Sequence, residues 1–205
     1  MEHAAKVLWR QESQEIPMPS SMPRRAAYSA LIRAYECTDV LAELVAALRG
    51  QTLPPEEILI VDSSRDPTVT AAFEALGARV VPYPEGEFNY SRAINVGVAA
   101  NRSPYTLIIS SHNALLEPHV IFRGVEGAWT GECGIVSWAP LWNPEAKPLS
   151  YPVTKESFNG RNGLSNIMAM LPTDLLREHP FREEVFAGED QAWAKAYFQN
   201  FHRPI

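Results

Sequence analysis

Four polar groupings stand where chemistry can be done. Asp62 ends the apolar run EILIVD and is followed by Ser63 and Ser64. Ser110, Ser111, His112 and Asn113 end the run YTLII. Arg92 and Asn95 share the segment SRAINVGVAANR, and Glu189 and Asp190 open GEDQAWAKAYF. Carboxylates, hydroxyls and an imidazole at the ends of apolar strands are groups that hold a polar ligand or exchange a proton with it. Each also has a plainer use. Asp62 and its serines can close a turn, Glu189 and Asp190 can complement the positive end of a helix dipole, and Arg92 can pair with a neighbour on a helix surface. His112 can satisfy a strand-end turn, or it can bind a metal ion or an anion. His119, His179 and His202 have no comparable placement and are expected at the surface.

The elements that position these groups alternate. AAYSALIRAY is a β-compatible apolar run. Thr38 and Asp39 can open a helix in which Val40, Leu41, Leu44, Val45 and Leu48 share a face, and Gly50 can end it. After Pro54 and Pro55, EILIVD has both faces apolar, as in a parallel sheet. Asp66-Pro67 opens a second helix, Gly77 stops it, and ARVVPY is a short strand. SRAINVGVAANR is helical by spacing despite Gly97, and YTLIIS is the next strand. The alternation implies βαβ units with right-handed crossovers and helices on both faces of the sheet, an α/β fold. In such sheets ligands gather beyond the carboxyl ends of the strands, which is where the polar groupings fall. Later come a helix through HVIFRGVEGAW, a strand at GIVSWAP, a long loop near 140–162, the apolar run SNIMAML, a short helix near Pro172 and a final helix from GEDQAWAKAYF. Residues 1–25, with Pro17, Pro19 and Pro23, read as a tail or arm, and 26–205 as one domain.

Composition narrows the partners. The 205 residues carry a formal net charge of −6, with a pI near 5.4, which argues against broad binding to nucleic acid, since that needs a basic surface to displace counterions. No apolar run approaches the ~18 residues of a membrane span, and the N-terminus lacks a signal-peptide apolar region. A cytoplasmic location is expected, with peripheral contact at the inner face of the membrane compatible with it; oligomeric state is not readable. Cys37 and Cys133 are too few for a disulfide framework and are expected as buried or half-buried thiols.

The order of the segments carries a resemblance. Ala34-Tyr35-Glu36, Gln51-Thr52, Pro54-Pro55 and Val61-Asp62 hold the places of the opening blocks of the family-two glycosyltransferases. Arg92, Asn95 and Gly97 fit that family's Arg-x-x-Asn-x-Gly helix, and Glu189-Asp190, followed by Trp193, fits its Glu-Asp motif. The likeness runs over about residues 27–200. It implies a GT-A fold with a mixed, mostly parallel sheet, a nucleotide site in the N-terminal half and an acceptor site in the later segments. It also implies inverting transfer of a sugar from a nucleotide-diphosphate donor to an acceptor hydroxyl of a glycan or lipid-linked glycan.

Such a transfer assigns roles. The attacking hydroxyl must lose a proton, so a carboxylate is needed as base; Asp190 is the candidate, with Glu189 orienting it or binding acceptor hydroxyls. The resemblance places Tyr35, Asp62, Ser63, Arg92, Asn95 and Ser110 around the nucleotide-sugar and Trp193 at the acceptor. The departing diphosphate calls for a divalent cation, manganese or magnesium, or for positive side chains.

The chain departs from the family pattern twice. Ser110 and His112 stand where the family usually has Asp-x-Asp, offering one imidazole and a weak hydroxyl in place of two hard carboxylates. Either His112 binds a metal together with donor phosphates, or it contacts the diphosphate directly, or it closes the turn. The sequence also ends at HRPI, where the family commonly continues. The site is then expected to be closed by the 143–162 loop, with Lys147, Lys155 and Arg161 near the diphosphate, or by a partner, or the chain is a reduced, inactive member. The rival readings are a non-catalytic sugar-nucleotide or glycan-binding module and, more remotely, a small nucleotidyltransferase, whose Gly-rich phosphate loop is missing here.

Overall fold

The computed structural model describes residues 26–115, 117–130, 133–138 and 151–205. The expected N-terminal arm, Lys147 and the first part of the long loop lie outside them.

Six strands form one sheet. β1 (Tyr28–Ala34), β2 (Glu57–Asp62), β3 (Arg79–Pro82) and β4 (Tyr105–Ser110) are parallel; β6 (Met168–Pro172) pairs antiparallel with β4, and β5 (Val136–Ser137) pairs antiparallel with β6, in the order β3-β2-β1-β4-β6-β5. The mixed α/β architecture is the expected one. Helices α1 (Thr38–Arg49), α2 (Pro67–Ala75), α3 (Tyr90–Ala100) and α4 (Val120–Thr130) connect and flank the strands, and α5 (Thr173–Glu178) and α6 (Glu189–Asn200) follow β6. GIVSWAP contributes only two strand residues.

The strand period of two sorts β1 onto two cores. Tyr28, Ala30, Ile32 and Ala34 pack with Leu41, Leu44, Val45 and Leu48 of α1, Phe73 of α2 and Ile121 and Val125 of α4. Leu31 packs on the other face with Ile94 and Val98 of α3, Leu175 and Leu176 of α5, and Trp193, Tyr197 and Phe198 of α6. Arg33 belongs to this second face by alternation, one residue from the end of β1.

Local signals explain the helix ends. The Asp66 side chain caps α2 by accepting from the Thr68 N–H at 2.8 Å, and Pro67 follows it at the first helical position. Asn89 caps α3 in the same way, accepting from the Arg92 N–H. α1 opens at Thr38 and Asp39 as expected, with Asp39 in the first turn facing the helix dipole; the residue before them, Cys37, makes no side-chain capping bond. Cys37 and Cys133 are half-buried and buried, as thiols.

Gly97 sets how close α3 lies to the sheet. A Cβ there would stand 2.1 Å from Leu31 Cδ1 and 3.1 Å from Val61 Cγ2. Gly97→Ala gains about 1 kcal/mol of helix propensity, but forcing the helix off β1 and β2 should cost more, leaving a net loss of about 1–3 kcal/mol in urea unfolding.

Tyr197 adds a pH dependence. It is buried, its hydroxyl has no partner, and burial pushes its pKa from an ordinary 10.0 up to about 12. A folded pKa above the unfolded one gives stability that is present below pH 10 and lost as pH rises toward about 12. Urea unfolding at stepped alkaline pH should show that decline, and Tyr197→Phe should make it shallower.

Candidate active site at the carboxyl end of the sheet

The antiparallel entry of β6 decides what meets what. It brings residues 166 and 167 to the carboxyl end of β4, where the Ser110 N–H donates to the Ile167 carbonyl at 2.9 Å and Asn113 Nδ2 donates to the same oxygen at 2.8 Å. The N-termini of α3 and α6 converge on this end of the second core.

Asn166 is the hub. Its side-chain amide donates to Glu189 Oε1, its backbone N–H donates to Asp190 Oδ2 at 3.3 Å, and its carbonyl accepts from Arg33 Nη2 at 2.8 Å. Glu189 is 7% exposed and Asp190 half-buried, so one residue fixes both candidate catalytic carboxylates and ties them to a buried cation. Burial pulls the Arg33 guanidinium below the usual arginine range, while Glu189, Tyr90 and Asp190 raise it. The Tyr90 ring lies over the guanidinium, 5.6 Å from centroid to Cζ. Neither Arg33 nor Asn166 figured among the expected site residues. The available signal was an arginine inside the apolar strand ALIRAY, a place that charge enters only with a partner.

The expected donor residues divide. Tyr35 and His112 are exposed beyond the ends of β1 and β4, and Ser110 is half-buried beside them. Asp62 is buried, and its carboxylate accepts from the Ser64 N–H (2.8 Å), the Ser64 hydroxyl (2.6 Å) and the Thr70 hydroxyl (2.6 Å). Three of its roughly four acceptor positions are therefore used by its own turn. Ser63 is occupied as well, its hydroxyl donating to the Ala34 carbonyl at 3.0 Å.

Arg92 and Asn95 do something other than expected. Arg92 Nε pairs with Glu183 Oε2 at 2.8 Å, and this bond raises the Arg92 pKa. Asn95 donates to the Phe181 carbonyl at 2.9 Å and accepts from the Phe181 N–H at 3.0 Å. With Asn89 Nδ2 donating to the Glu183 carbonyl at 2.8 Å, this face of α3 clamps the segment that leads into α6 and its carboxylates. The Asn95 amide and Arg92 Nε are used in that clamp, while Arg92 Nη1 and Nη2 extend past it on a 40% exposed side chain.

Trp193 is a correction. It is 3% exposed, donates Nε1–H to the His179 carbonyl at 2.7 Å, and stacks against Tyr197 at 5.4 Å and Phe181 at 5.9 Å. A ring so enclosed is core and cannot touch an acceptor; residue 193 is five positions into α6, on the face turned to the sheet. His179 is half-buried rather than at the surface, its ring edge-on to Phe201.

By themselves these donors make a poor site for a hard cation. Among the described residues no three His, Cys, Asp or Glu side chains gather where they could hold an ion, and His112 is exposed with only Ser110 in the place of the second ligand. A recess of about 460 Å³ bordered by Glu57, Gly77 and Arg79 lies at the amino ends of β2 and β3, the wrong end for ligands of a parallel sheet. Its Arg79 is already forked onto Glu57 at 2.7 and 3.0 Å.

Comparison with known proteins agrees with the architecture. Residues 29–137, more than half of the chain, match the model of glycosyl transferase family 2. The chain belongs to that family. No curated protein matches it. Among solved structures, TarS of S. aureus, residues 1–349, is similar with TM-score 0.68 and 19% identity over 86% of this chain and 56% of that one. The mannosyltransferase PcManGT from Pyrobaculum calidifontis, in complex with GDP-Man and Mn2+, gives 0.62 and 14% over 91% and 56%. Glucosyl-3-phosphoglycerate synthase from Mycobacterium tuberculosis, with Mn2+, UDP and glucosyl-3-phosphoglycerate, gives 0.62 and 18% over 85% and 66%. At these identities the likeness concerns the fold, GT-A. This chain spans 34% of a longer TarS chain and between half and two thirds of the others.

If Asn166 is the hub, Asn166→Ala leaves buried Glu189 without its donor and should cost about 1–3 kcal/mol in urea unfolding. Asn159→Ala, in an exposed turn, should cost clearly less, and equal losses would remove the hub.

Proposed function

We propose that the chain is a nucleotide-sugar glycosyltransferase that inverts the anomeric centre, using Asp190 as general base. The observation that carries this reading is the placement of Asp190 and Glu189 by Asn166 at the carboxyl end of the sheet, in a chain of glycosyl transferase family 2.

The chemistry follows from that placement. An acceptor hydroxyl attacks the anomeric carbon as its proton passes to Asp190; the bond from that carbon to the diphosphate oxygen breaks, and the nucleoside diphosphate leaves on the opposite face. Asp190 is suited to the task because it is half-buried and each of its oxygens accepts a single backbone N–H, Oδ1 from Gln191 at 2.8 Å and Oδ2 from Asn166 at 3.3 Å, so lone pairs remain for a proton, whereas Glu189 is buried and held by Asn166. Glu189 then acts as the orienting partner. In this reading Tyr35, exposed just past the end of β1, stacks on the base, and Asp62 offers its remaining acceptor position to base or ribose.

The donor is a nucleotide-diphospho-sugar, as suggested by the UDP and GDP-Man in the complexes of similar fold, and the acceptor a hydroxyl of a glycan or lipid-linked glycan. No helix among the described residues is long and apolar enough to cross a membrane.

Asp190→Asn tests the base directly. Transfer from a panel of UDP-, dTDP- and GDP-sugars should fall roughly 10²–10⁴-fold, while calorimetric affinity for the corresponding nucleoside diphosphate stays the same. A variant that transfers at the wild-type rate would remove Asp190 from the reaction, and a wild type that binds nucleotide but never transfers would favour a binding module.

A further inference from the structure

Arg33 has more donor capacity than its neighbours use. It is about nine-tenths buried, yet its Nε and Nη1 have no hydrogen-bond partner. Four such orphaned buried atoms occur among the described residues, and three of them, counting Ser91 Oγ, lie at this one end of the sheet. An ionised group with unanswered donors is costly to bury, so the arrangement makes sense where a ligand oxygen completes it.

Its position says which ligand. Arg33 pairs in register with Ser110, and in-register neighbours project to the same face. From β1 its guanidinium reaches the Asn166 carbonyl at 2.8 Å, next to the Ile167 carbonyl that receives the Ser110 N–H. The cation therefore extends over the end of β4, above Ser110. A small hydroxyl there leaves it room; a carboxylate at that position would take the Nε and Nη1 donors that Glu189 and Asp190, which act on the guanidinium only through their charge, leave open. Ser110 and Arg33 are thus two halves of one device, a buried cation with open donors beside a neighbour too small to cover it.

The competing cations are less suited. Arg92 is bound to Glu183, and Lys155 and Arg161 are exposed. His112 is exposed and brings no second strong ligand. Two helix N-termini, those of α3 and α6, add their positive ends at the same place.

We infer that Arg33 is the cation that receives the diphosphate of the donor, taking phosphate oxygens on Nε and Nη1 and stabilising the charge that develops as the nucleotide departs. This deepens the transferase reading and rests on it. The Tyr90 ring covers the guanidinium but is itself 54% exposed at the first position of α3. Admitting phosphate requires that ring, which also packs edge-on against Phe88 at 4.9 Å, to turn outward; the Arg33–Asn166 bond uses Nη2 and leaves Nε and Nη1 for the phosphate.

The test is calorimetry of UDP, dTDP, GDP and inorganic pyrophosphate, in EDTA and then in manganese, on wild type, Arg33→Lys, Arg33→Met and Ser110→Asp, each checked for folding by circular dichroism. Wild type should bind pyrophosphate and at least one nucleotide in EDTA. Arg33→Met should weaken that binding roughly tenfold to a hundredfold, with Arg33→Lys in between. Ser110→Asp should lose metal-free binding and regain part of it in manganese, an outcome that a general loss of packing cannot produce. Binding that requires manganese in wild type, or that is unchanged in a folded Arg33→Met, overturns the inference while leaving a donor-binding transferase intact. Absence of all binding in wild type, with and without manganese, overturns both.

Discussion

A guanidinium held beneath the carboxyl ends of β1 and β4 imposes conditions on everything around it. Arg33 is buried on the α3 and α6 side of the sheet and needs electronegative groups close by. The fold meets that need with the Asn166 carbonyl in contact, Glu189 and Asp190 within electrostatic range, and the face of Tyr90. Each comes from a different element: the approach to β6, the start of α6 and the start of α3. The antiparallel insertion of β6 and the convergence of the two helix N-termini are therefore linked to one charge. The same charge balances Glu189, which would otherwise be a buried carboxylate without a counterion.

The clamp built by α3 serves the same geometry. Asn89, Arg92 and Asn95 hold residues 181–183, and Gly97 lets the helix lie close enough to β1 for that reach. The segment after Phe181 then delivers Gly188 in a left-handed conformation, φ 70°, and α6 starts at Glu189. Gly suits this position because a side chain there would be strained. Backbone geometry, helix packing and the two carboxylates are one chain of cause, in which Asn166 supplies the last fixed contact.

Much of this was legible in the sequence. The parallel strands, α1 through α3 and the cap of α2 follow from apolar periodicity and from Asp66-Pro67, because these are local signals with short-range physical causes; the Asn89 cap of α3 did not figure among the expected helix ends. That the Glu189-Asp190 pair and the ends of β2 and β4 fall on one edge of the sheet was legible, because polar residues after apolar strands collect there in a parallel sheet. Pairing partners were not legible. Arg92 and Asn95 look the same in sequence whether they face a nucleotide or clasp Phe181 and Glu183, and Trp193 looks the same in a cleft as stacked between Phe181 and Tyr197. Asn166 stands in an unremarkable loop, and only the antiparallel register of β6 makes it central. Long-range register is the quantity that a pattern along the chain does not carry.

A crystal structure of the chain grown with UDP, dTDP or GDP and without divalent metal would test the central claim most directly. The account predicts a diphosphate at the carboxyl end of the sheet, its oxygens within hydrogen-bonding distance of Arg33 Nε and Nη1, Tyr90 turned outward, and Asp190 on the side open to an acceptor. A nucleotide bound elsewhere, for instance in the recess near Arg79, or a diphosphate at the strand ends with Arg33 still covered by Tyr90, would contradict it.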